Sequence, residues 1–177
     1  MHYYFETRDD VLLAALKWAS ERLFARVEAG GGGPRERLAH LLDVSVPAPG
    51  PARDEYVLWI ELWLRVLHQP ELLPECEALS ARWRGYFAAL VEEGTRAGAF
   101  TPVAAPGEVA DRLVAMVDGL GFETALGYTW TSPERMRARL EHFAREQLGG
   151  ASKHGGESAG ADSLASSLRE HRDEDVL

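Results

Sequence analysis

A single cysteine, Cys76, stands in 177 residues, so neither an internal disulfide nor a cysteine-based zinc site can be built from this sequence. Long apolar runs are missing as well. No stretch reaches the roughly 20 uncharged residues that span a bilayer, and the N-terminus has neither a basic cluster nor the apolar core of an export signal. A cytoplasmic chain with no membrane partner is expected. Positive charge is scarce: 19 Lys and Arg stand against 28 Asp and Glu, giving a net charge of -9. That balance excludes gripping a phosphate backbone by bulk electrostatics, which needs clustered cations, and leaves any DNA contact to a local patch.

Chemistry-bearing motifs are also absent. The histidines at 2, 40, 68, 142, 154 and 171 show no metal-ligand spacing, and His142 with Glu146 reads as a solvated i, i+4 pair, so no metal is expected. Gly119-Leu120-Gly121 lacks the strand and the third glycine of a dinucleotide loop, and no Ser, His and acid arrangement carries a nucleophile motif. The chain is read as having no enzymatic activity and no cofactor.

Helical punctuation fills the rest. Thr7 and Asp10 approach a capping box, and Val11, Leu12, Ala15, Leu16, Ala19, Leu23 and Val27 recur at helical spacing until four glycines, 30–33, stop them. Pro34 opens a short second helix that closes before the Pro47, Pro49 and Pro51 loop. From Arg53 to His68 nearly every position is apolar, which predicts a helix buried all round at the centre of the core. Pro70 and Pro74 begin a long helix that ends near Gly98; another runs from about Gly107 to Gly127; and Ser132 caps a last one from Pro133 to Leu148. No segment alternates with period two, so the fold class is all-α. Residues 149–177, rich in Gly, Ser and acidic groups, read as a disordered acidic tail.

The opening Tyr3-Tyr4-Phe5-Glu6-Thr7-Arg8 resembles the end of the helix-turn-helix of TetR-type transcriptional regulators. The order Trp59 to Leu67, Pro70-Glu71-Leu72, Glu93 to Phe100 and Asp118-Gly119-Leu120 is similar to the regulatory domains of one TetR subgroup, which includes regulators of choline and betaine metabolism. The resemblance implies that 1–6 is a remnant of the recognition helix, with Tyr3, Tyr4 and Arg8 as phosphate contacts, and that 7–148 binds an effector and dimerises. It also implies a ligand-controlled DNA-binding regulator, a repressor, that pairs as a homodimer through its last two helices. Val109, Leu113, Val117 and Leu120, with Met136, Leu140 and Phe143, form the compatible apolar stripes. Operator DNA is a partner only where a complete headpiece precedes this stub, because a recognition helix needs its partner helix. Otherwise the reading is a stand-alone helical dimer that binds a small molecule or a protein.

Candidate effector contacts are the aromatics Trp59, Trp63, Trp83, Tyr86 and Phe87, with Met116 and Phe122; each side chain is alternatively ordinary core. Glu61, placed on the apolar helix, and Glu123 are the polar candidates. Asp118 and Glu123 flank Gly119 and Gly121, whose glycines read as close helix contact across a dimer. Carboxylates among rings suit a cationic effector, and a largely apolar molecule fits the composition nearly as well.

Overall fold

The computed structural model describes residues 8–149. The stub at 1–6 with Tyr3 and Tyr4, and the tail beyond Gly149, lie outside the described residues. Arg8 is the first residue of α1.

Six α-helices follow in order: α1 (Arg8–Glu28), α2 (Pro34–Val44), α3 (Pro51–Val66), α4 (Leu73–Arg96), α5 (Pro106–Leu126) and α6 (Pro133–Leu148), with a short 3-10 turn at Pro70–Leu72 leading into α4. No strand occurs among the described residues. The chain's punctuation explains the boundaries. Proline occupies the first turn of α2, α3, α5 and α6, where its missing N–H costs nothing. Ser132 accepts a hydrogen bond from the Arg135 amide at 3.2 Å and so caps α6. Gly127 closes α5 at φ 78°, a left-handed conformation in which a side chain would be strained, and its N–H returns to the carbonyls of Glu123 and Thr124.

The helices enclose two apolar clusters. The larger joins Phe24 of α1, Leu41 of α2, Phe87 and Val91 of α4, Val109 and Leu113 of α5, and Met136 and Leu140 of α6. A smaller one gathers Leu16, Leu62, Leu72 and Cys76 at the other end of α1. Two expectations from the sequence change here. Leu62 is the only buried residue of α3, and Leu64 is 52% exposed, so α3 is not surrounded by core. It packs on α1, α4 and α5 with one side and leaves the other bare. Likewise Val109, Leu113, Val117, Met136 and Leu140, assigned above to a dimer face, are buried in the chain's own core, and Leu120 and Phe143 pack against its edge. Their burial is intramolecular because α5 and α6 pack on each other and α5 on α4 as well. Apolar periodicity identifies a covered face without saying which chain covers it.

Candidate effector site

Where the two clusters meet, the packing leaves a cavity of about 80 Å³. Five segments wall it: Ala19, Leu23 and Arg26 from α1, the 44–47 turn, Glu55, Tyr56, Trp59 and Trp63 from α3, Ser80 and Trp83 from α4, and Val114, Val117 and Asp118 from α5. Tyr56, Trp59 and Trp63 recur at i, i+3 and i+7 and therefore share one stripe of α3. They contact one another, with Trp59 and Trp63 ring centroids 6.2 Å apart and Tyr56 edge-on to Trp63 at 6.3 Å. Trp83 joins from α4, fixed edge-to-face on Phe87 at 5.2 Å.

The aromatic wall is held to α5 by two hydrogen bonds to backbone carbonyls. Tyr56 donates its hydroxyl to the Asp118 carbonyl at 2.9 Å, and Arg53 donates from Nε to the Ala125 carbonyl at 3.0 Å. Gly121 makes that approach possible, since a Cβ there would sit 2.4 Å from the Tyr56 hydroxyl oxygen. Its small size serves contact within the chain, whereas Gly119 lies exposed on the outer side of α5. Burial, and secondarily the Asp118 charge, pushes the Tyr56 phenol well above its ordinary range, so it stays protonated.

Two carboxylates line the cavity in different electrostatic states. Glu55 is neutralised from α1: Arg26 donates to it at 2.6 and 3.3 Å, and Arg22 at 3.2 Å. Asp118 has no side-chain hydrogen bond or ion pair to any described residue, and burial pushes its carboxyl up to about 6. An uncompensated carboxylate beside four aromatic rings makes a receptor for a cation that carries no N–H groups, because ring faces attract the charge and Asp118 balances it.

Of the candidates from the sequence, Trp59, Trp63 and Trp83 lie on the cavity wall. The others do not. Glu61 is exposed on the far side of α3, two residues from Trp59 and so rotated away from it. Tyr86 donates to Glu28 at the end of α1, Phe87 is fully buried behind Trp83, and Met116 packs against the main core. Phe122 faces outward on α5, and Glu123 accepts from Trp130 Nε1 at 3.3 Å. Tyr56, Glu55, Asp118 and Arg26 were not singled out as ligand contacts by sequence reasoning. Only Tyr56 left a signal, its helical register with the two tryptophans. Among the described residues, no group of three or more His, Cys, Asp or Glu is placed to hold a metal ion, and no helix is long and apolar enough to cross a membrane.

Comparison with known proteins supplies a second line of evidence. Residues 34–149 match the family model of the C-terminal domain of BetI-type transcriptional repressors. Among solved structures, the chain is similar to a transcriptional regulator from Saccharomonospora viridis in complex with choline, at 30% identity and a TM-score of 0.73, over 83% of this chain and 78% of that one. It is also similar to a TetR transcription regulator from Haloarcula marismortui, at 24% identity and a TM-score of 0.70, over 83% and 82% of the two chains. A TetR-family regulator from Rhodococcus sp. matches at 22% identity and a TM-score of 0.71, over 81% and 77%. At these two lower identities the likeness speaks for the fold. No curated protein sequence matches the chain.

Proposed function

The chain belongs to the TetR family of transcriptional regulators, with a C-terminal domain of the BetI type, and on that basis we propose that its cavity receives an N-methylated ammonium ion as effector. The observation that carries this reading is the unpartnered, buried Asp118 facing the same cavity as Tyr56, Trp59, Trp63 and Trp83. Choline, the molecule bound by the Saccharomonospora viridis regulator, is of this class. A quaternary ammonium needs no hydrogen-bond acceptors, which suits walls made mainly of rings and aliphatic side chains. A purely apolar effector would leave Asp118 without a countercharge.

Regulation follows from the second half of the proposal, a homodimer joined through α5 and α6. With the inner stripes of both helices buried in the chain, the outer face of α5 takes the contact. It carries Ala115, Gly119, Phe122 and Leu126 at i, i+4, i+7 and i+11, followed by Tyr128 and by Trp130, which is 54% exposed. An apolar band of this kind on two helices suits a four-helix interface. Operator contact belongs to a headpiece on the N-terminal side of α1, and the Tyr3, Tyr4 and Arg8 stub is where it would join. Effector and operator affinity are then linked through whichever conformation the cavity prefers.

Calorimetric titration with choline tests the site. Saturable binding that Trp63→Ala weakens about tenfold or more, with the oligomeric state unchanged, is the expected result, on the scale of one lost cation–π contact in a desolvated site. Equal affinity in Trp63→Ala removes Trp63 from the site, and no binding of any N-methylated ammonium defeats the proposal.

A further inference from the structure

The cavity's charges are segregated. Its α5 wall carries Asp118 and no cation. Its α1 and α3 walls carry Arg26 and Glu55, and the Glu55 carboxylate is shared between Arg26 and Arg22. Counting formal charges, two guanidinium groups on one carboxylate leave the α1 side one positive charge in excess, while the α5 side is one negative charge in excess. Both imbalances abut the same small volume. A guanidinium has five N–H donors, and Glu55 accepts two from Arg26, so Arg26 keeps donors to offer. A simple cation would balance Asp118 and leave the Arg26 side as positive as before.

From this arrangement we infer that the effector is a dipolar ion, an N-methylated ammonium joined by a short chain to a carboxylate, with the ammonium beside Asp118 and the rings and the carboxylate received by Arg26. The inference rests on the cation-binding reading above and adds the anionic end. Arg26 becomes the residue that separates a dipolar ion from a plain ammonium, because a charge-assisted hydrogen bond inside a cavity is short and strong, and an unmatched carboxylate there would be expelled. Such a ligand carries no net charge and cancels both local imbalances at once.

The test compares two probes, tetramethylammonium and trimethylammonioacetate, by tryptophan fluorescence titration of the whole chain. The dipolar probe is expected to bind at least tenfold more tightly. Arg26→Gln is expected to abolish that preference while leaving tetramethylammonium affinity within about twofold, and Arg26→Lys, which keeps the charge, is expected to retain most of it. Should Arg26→Gln not fold, the wild-type ratio and Arg26→Lys still decide. Equal or weaker binding of the dipolar probe to the wild type overturns the inference and leaves the ammonium site standing, as does an equal loss for both probes in Arg26→Gln. Binding of neither probe overturns the ammonium site itself, and this inference with it.

Discussion

Asp118 is the residue on which the account turns, and its protonation gives a signed prediction. A carboxyl raised to about 6 in the folded chain holds its proton longer than in the unfolded chain, where it releases it near its ordinary value of 3.8. Between those two values the native state therefore binds more protons, and stability falls as pH rises through the window. Above it the buried charge is a standing cost. Asp118→Asn is expected to raise stability at pH 7 by about 1–3 kcal/mol and to flatten the pH dependence between about 4 and 6, read by denaturant unfolding at several pH values. Unchanged stability would mean that water in the cavity already solvates the carboxylate. Gly121 makes the opposite case: Gly121→Ala pushes a methyl into the Tyr56 ring and is expected to cost about 1–3 kcal/mol and to weaken ammonium binding. The tryptophans of this site were legible in the sequence because their spacing on one helix is local information. Asp118, Glu55 and Arg26 were not, since whether a charge is paired depends on helices that meet only after folding.

Helices were the most legible level. Prolines at first turns and glycines at ends mark every boundary to within a few residues, because both act through backbone geometry that a neighbour cannot alter. Which face of each helix meets what was far less legible. Trp83 and Phe87 stand one turn apart with nearly the same outlook in sequence, yet one lines the cavity and the other is sealed behind it. On α5, the stripe through Leu113 and Val117 and the stripe through Gly119, Phe122 and Leu126 are both apolar, and only packing shows that the first belongs to the chain's own core. The two stripes make contrasting predictions. Leu113→Ala is expected to lower stability by about 2–5 kcal/mol with the dimer retained, as for a cavity left in a core. Leu126→Glu, at a position 49% exposed, is expected to leave the fold intact and give monomers by light scattering at micromolar concentration. A dimer that survives Leu126→Glu would move the interface off this face of α5.

Across the whole molecule, the cavity occupies the junction of two separate apolar clusters, borrowing Trp83 and Val117 from one and Trp59 and Trp63 from the other. A ligand there touches α1, α3, α4 and α5 together, so occupancy bears on how the clusters sit against each other. The helix leading from the cavity towards the N-terminus is α1, bound to α3 through Glu55 and to α4 through the Lys17–Glu75 and Glu21–Arg82 pairs. Exposed pairs such as these last two contribute about 0–1 kcal/mol each, which suits a helix that must shift on binding. None of this matters unless the cavity holds a cation against Asp118. The most direct measurement is a tetramethylammonium titration followed by tryptophan fluorescence at pH 8 and pH 5, in the wild type and in Asp118→Asn. The account predicts saturable binding at pH 8 that weakens about tenfold at pH 5, as a carboxyl titrating near 6 takes up its proton, and weak, pH-independent binding in Asp118→Asn. No saturable response at pH 8, or the same affinity in Asp118→Asn as in the wild type, would contradict it.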